Sequence, residues 1–110
     1  MAFTPYHNIL GATARDNELV AIGDIPRKRI KAIQITNIDA SAEAAVSLYL
    51  YKDSTDTTPE ETIYILRDIV IPYAVSLLLD NPSILEFDNS NYGLHMEVGA
   101  SDEIDVILST

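Results

Sequence analysis

The feature that most limits what this chain can fold into is a side-chain period of two that recurs along almost its whole length. In Val46-Ser47-Leu48-Tyr49-Leu50-Tyr51, the residues Val46, Leu48 and Leu50 fall on one face and Ser47, Tyr49 and Tyr51 on the other, because successive side chains of a strand point to opposite sides. Leu94-His95-Met96-Glu97-Val98 alternates in the same way, with His95 and Glu97 turned from the apolar face. Val75-Ser76-Leu77 and Ile104-Asp105-Val106 repeat the pattern. A strand that is apolar on one side needs a second layer to cover that side.

Turn-forming residues punctuate these runs: Gly23-Asp24-Ile25-Pro26, Asn37-Ile38-Asp39-Ala40-Ser41, the polar stretch Asp53 to Pro59, Pro72-Tyr73, Asn81-Pro82, Asp88 to Asn91, and Gly99-Ala100-Ser101-Asp102. Short strands at roughly eight- to twelve-residue spacing are the pattern of a sandwich or small barrel. The expected strands are 7–13, 18–23, 29–38, 44–52, 61–70, 74–80, 83–88, 92–98 and 103–109. A helical turn at 40–46 competes locally, since alanine and glutamate favour helix. The expected fold is therefore all-β, an antiparallel two-sheet sandwich of jelly-roll or Ig-like type with about eight or nine short strands. Residues 1–17 are expected to form an N-terminal arm or edge strand and 18–110 the sandwich, a single domain overall.

One run departs from simple alternation. Ile63 to Ile71 is apolar on both faces apart from Arg67 and Asp68. Either it is a central strand covered on both sides, or one of its faces meets another subunit.

Apolar residues are 47% and charged residues 22%, ordinary globular usage. Seventeen acids against seven bases give a net charge of −10, which repels nucleic acid and anionic membranes; neither is an expected partner. With no cysteine, disulfides and thiolate metal sites are excluded, which points to folding inside the cell. Met1 to Pro5 lacks the basic region and apolar run of a signal peptide, and apolar stretches such as Ile69-Val70-Ile71 are too short to span a bilayer.

Chemistry-bearing motifs are missing. The two histidines, His7 and His95, form no zinc-spaced pair, and both are expected to be solvated. The glycines, Gly11, Gly23, Gly93 and Gly99, are scattered at turn positions rather than gathered in a phosphate loop. No Gly-x-Ser-x-Gly elbow occurs. Acids cluster at Asp53, Asp56, Glu60 and Glu61 and again at Asp102, Glu103 and Asp105, without calcium-loop spacing. No catalytic, cofactor-binding or metal-binding residue is assigned, no cofactor is expected, and the chain is read as non-enzymatic.

Two groups of residues point to contacts with other proteins. Arg27, Lys28, Arg29 and Lys31 put four of the seven bases within five residues of an otherwise acidic chain. They are either a solvated strand entry after Pro26, with Ile30 turned inward, or a patch that docks an acidic neighbour such as the protein's own acidic loops. Tyr49 and Tyr51 share the non-core face of one strand; tyrosine suits interfaces because it buries area and keeps a polar handle, and it is also a good strand residue.

From residue 18 onward the order of pieces resembles small β-sandwich virion proteins of tailed bacteriophages. The matching pieces are Glu18-Leu19-Val20-Ala21-Ile22, Pro26, Ile33-Gln34-Ile35-Thr36-Asn37, Ala40-Ser41-Ala42, Val46-Ser47-Leu48-Tyr49-Leu50, Ile71-Pro72, Leu77-Leu78-Leu79-Asp80 and Ile104-Asp105-Val106-Ile107-Leu108. Arg27-Lys28-Arg29 stands where that group has a glycine-rich entry turn, and Ile71-Pro72-Tyr73-Ala74 where it has Ile-Pro-Ala-Gly. The resemblance implies a homo-oligomeric virion component, made in the host cytoplasm, that contacts its own copies and the major capsid protein or other virion proteins. Capsid decoration is the expected role. Neck, tail or fibre roles, a carbohydrate- or receptor-binding sandwich, and a small cupin-like enzyme are the alternatives.

Overall fold

The structure, a computed structural model, describes residues 6–24, 30–81 and 85–109. Eight strands follow one another: β1 (Tyr6–Leu10), β2 (Asp16–Val20), β3 (Ala32–Asn37), β4 (Ala44–Lys52), β5 (Glu61–Ile71), β6 (Ser76–Leu79), β7 (Gly93–Val98) and β8 (Glu103–Ser109). They form two antiparallel sheets, ordered β1-β8-β3-β6 and β2-β7-β4-β5. The pairings are nested: β1 with β8, β2 with β7, β3 with β6 and β4 with β5. The chain is thus one long antiparallel hairpin with its tip between β4 and β5, rolled until β8 meets β3 and β7 meets β4. This is the jelly-roll form of the expected sandwich.

The alternation read from the sequence sets which side chains meet between the sheets. Ile33 and Ile35 of β3, Val46 and Leu48 of β4, Leu94, Met96 and Val98 of β7, and Ile104, Val106 and Leu108 of β8 are all buried. They come from the two central strands of each sheet, where both neighbours exclude water. Ile30 and Leu85, outside the strands, plug the same core.

Two buried asparagines tie loops to this core. Asn37 is fully buried; its Nδ2 donates to the Ala42 carbonyl at 2.9 Å and the Ile71 carbonyl at 3.0 Å, and its Oδ1 accepts from the Asp39 amide at 3.0 Å. Asp39 Oδ1 then takes the amides of Ser41 and Ala42, which holds its carboxyl below the usual carboxylate range. These side-chain-to-backbone bonds outcompete the helical turn considered for 40–46, and β4 begins at Ala44. At the opposite loop, Asn89 Nδ2 donates to the carbonyls of Ala21 and Tyr92.

Two further expectations are corrected. Among the described residues 85–88 no strand forms; the Leu85 amide donates to the Asn81 carbonyl at 3.1 Å, a helix-like bond, and Leu85 points into the core. The run Ile63 to Ile71 is not a central strand beneath its own loops. It is β5, the outer edge of its sheet, and most of it is exposed. The strand is also irregular: Val46 pairs with Ile69, Leu48 with Leu66 and Tyr49 with Tyr64, so β5 carries an extra residue in each step. At the first bulge Asp68 takes φ 51° while its amide donates to Ser47 Oγ at 2.9 Å. Bulges at an edge discourage strand-to-strand addition.

The β5–β6 connection turns on Ala74, with φ 58° and the Val75 amide donating to the Pro72 carbonyl at 3.3 Å. A left-handed backbone costs a residue with a Cβ roughly 1–2 kcal/mol. Ala74→Gly is therefore expected to raise unfolding stability by about 1 kcal/mol in urea titration; an unchanged or lower midpoint would contradict the turn geometry. Asn37→Ala strands the buried Ile71 carbonyl and empties a fully buried site, and should lower stability by about 2 kcal/mol in the same assay.

Candidate interaction surfaces

Register places the outward side chains of the β2-β7-β4-β5 sheet in rows. Glu18 pairs with His95, His95 with Tyr49, and Tyr49 with Tyr64, so one row crosses all four strands. The next row runs through Asp16, Glu97 and Ser47 to Asp68, which bonds Ser47. Tyr51 stands beside Gly93 and Thr62 in the row beyond.

The two tyrosines singled out from sequence therefore share a face with aromatic residues from two other strands. The Tyr49 ring stacks on His95 with centroids 5.5 Å apart, Tyr51 tilts against His95 at 5.3 Å, and Tyr64 tilts against Tyr49 at 5.6 Å. His95 was expected to be solvated. Its side chain is only 20% exposed, because the tyrosine rings on β4 flank it. His7 is not simply solvated either: it is half-buried on β1, and its Nε2 is shielded without a hydrogen-bond partner.

Carboxylates set the electrostatics of this face. The Tyr49 hydroxyl donates to Asp16 at 3.3 Å, and burial together with the Asp16 charge pushes its pKa up to about 12. The Tyr51 hydroxyl donates to Glu60 at 2.6 Å, and that bond pushes its pKa up to about 12. Asp16, Glu18, Glu97 and Asp68 lie on the face, with Asp53, Glu60 and Glu61 at the tip of the β4–β5 hairpin. The bases beside them are Arg67, whose guanidinium lies 5.0 Å from the Tyr64 ring centroid, and Lys52, 5.9 Å from that of Tyr92 and 3.9 Å from Glu61.

A second surface is apolar. β5 and β6 are the edges of their two sheets, and the short Pro72–Val75 turn joins them, so both edges lie on one side of the sandwich. Ile63, Ile69, Tyr73 and Val75 are exposed along it; Val70 (52%), beside Ala45, and Leu78 (56%), beside Gln34, stand on the outer faces of the two sheets at this edge.

Of the sequence-assigned basic residues, Arg27, Lys28 and Arg29 lie outside the described residues. Lys31 is exposed at the entry to β3, where its amide donates to the Ser109 carbonyl at 2.7 Å. Tyr49 and Tyr51 are brought together with Tyr64 and His95, which sequence reasoning did not join to them. Among the described residues no group of three or more His, Asp or Glu could hold a metal ion. No family model, curated protein or solved structure matches the chain.

Burial lowers the His95 pKa below its ordinary 6.5, against the opposing pull of Glu18, Asp16 and Asp53. At pH 7 its 3.7 Å contact with Glu18 thus joins a neutral imidazole to a carboxylate. The unfolded chain takes up this proton at higher pH than the folded one. The associated stability is complete above about pH 6.5 and is lost as the pH falls toward the folded midpoint. Urea titrations across that window should show a shallower decline for His95→Gln than for the parent chain; identical slopes would show that His95 does not titrate in this way.

Proposed function

We propose that this chain is a non-enzymatic structural component of a tailed-phage virion, a capsid decoration protein that seats on the assembled shell. The observation that carries the reading is the exposed apolar side formed by β5, the Pro72–Val75 turn and β6. Exposed apolar side chains gathered along one edge of a small domain mark a site for another protein. The bulges in β5 direct that contact to side-chain packing rather than to strand addition. The sequence resemblance supports the same role.

The carbohydrate-binding alternative has less support. A sugar platform needs a free ring face, but Tyr49 and Tyr51 flank His95 and the Arg67 guanidinium lies over Tyr64.

Mixing the purified chain with empty shells should bring it down with them on sedimentation. Val70→Lys and Leu78→Lys should each weaken this at least about tenfold, since a desolvated lysine costs more than about 1.4 kcal/mol. Absence from the shell pellet, with recovery on a portal or tail preparation, would refute decoration.

A further inference from the structure

A different surface, on the outer side of the β2-β7-β4-β5 sheet, fits a partner of opposite charge. Its central row, Glu18, His95, Tyr49 and Tyr64, offers aromatic rings and carboxylate together. Carboxylates beside partly desolvated rings favour guanidinium and ammonium groups, which they bind through charge-assisted hydrogen bonds. The chain's own cations already lie against rings around the face: Arg67 lies over Tyr64 and Lys52 over Tyr92. Around His95, Tyr49 and Tyr51 the charge is carboxylate, with Asp16 bound to the Tyr49 hydroxyl and Glu60 to that of Tyr51.

We propose that this face docks the Arg27–Lys31 segment of a second copy of the chain. That segment concentrates four of the seven bases of a chain whose net charge is −10, so it is the part of a second copy that the face attracts while the remainder repels. Its reach matches. Five residues span at most roughly 17 Å, and four strands about 4.8 Å apart place the outer two roughly 14 Å apart. Each copy carries one segment and one face, so two copies that exchange both contacts close a two-fold dimer. The face meets the β5–β6 edge at β5, which carries Tyr64 and Val70, but no shell takes part in self-association, so self-association and shell binding fail or succeed separately.

The test is the solution mass by light scattering, for a chain of 12.1 kDa. A dimer is expected at about 0.1 M salt, weakening toward 1 M as the Debye length falls from about 10 Å to about 3 Å. Arg27→Glu with Arg29→Glu, and separately Glu18→Lys with Glu97→Lys, should each weaken self-association at least about tenfold while keeping the circular dichroism of the parent. Mixed together, the two variants should form a heterodimer, because each then offers the charge the other lacks. A parent chain that is monomeric at high concentration would overturn the proposal. So would a dimer indifferent to both reversals, or folded variants that fail to pair on mixing; in the last case any association of the parent has another surface as its cause.

Discussion

Two long-range strand pairs, β3 with β8 and β4 with β7, are the constraint on which the rest of this molecule depends. Without them the chain would be a single long hairpin with one apolar side open to water. Pairing Ile35 with Val106 and Leu48 with Met96 turns that ribbon into two sheets whose apolar sides face each other. Because the side-chain period is two, slipping either pair by one residue would send Ile33, Ile35, Leu94 and Met96 outward and the intervening polar residues inward. The same register that buries Met96 presents His95 and Glu97 on the outer face, beside Tyr49 and Ser47. Core and surface are therefore fixed by one interaction.

How the exposed surfaces differ follows from where each strand lies. Central strands have two neighbours, so their outward residues support one another. Tyr49 meets His95 on one side and Tyr64 on the other, and the cluster is partly desolvated even though it faces solvent. Desolvation lowers the basicity of His95 and the acidity of Tyr49 alike, leaving both neutral over a wide range of pH. The charge on this face comes almost wholly from carboxylates. Edge strands have one neighbour, so the outward residues of β5 and β6 remain in water, and there the apolar side chains are left uncovered.

Much of the fold was legible because alternation is a local signal. Strands β4 and β8 lie where the periodicity put them, and β5 and β7 differ from expectation by one residue at an end. The signal failed where alternation arose for another reason. Leu85-Glu86-Phe87 reads as a strand because Leu85 and Phe87 both contact the core, yet the Leu85 amide bonds the Asn81 carbonyl and no strand forms there. It failed differently at β5, whose two apolar faces suggested cover on both sides. Composition shows what a strand could bury; only the pairing order shows that no described strand lies beyond it. For the candidate surface, strand parity put Tyr49 and Tyr51 on one face. Their grouping with His95 and Tyr64 depends on residues 15 to 46 positions away in sequence, which periodicity does not reach.

The acidic composition takes on a different meaning once the sheet is in place. A net charge of −10 spread evenly would only keep copies apart. In this molecule Asp16, Glu18 and Glu97 are gathered by the pairing of β2 with β7 onto the face that also carries the aromatic row. An exposed ion pair contributes little by itself, about 0–1 kcal/mol. A cation held against partly desolvated rings and several carboxylates at once is screened less, and its attraction rises as water is excluded. The jelly roll therefore presents two unlike surfaces: an apolar edge along β5 and β6, and an aromatic, acidic face whose field salt would screen.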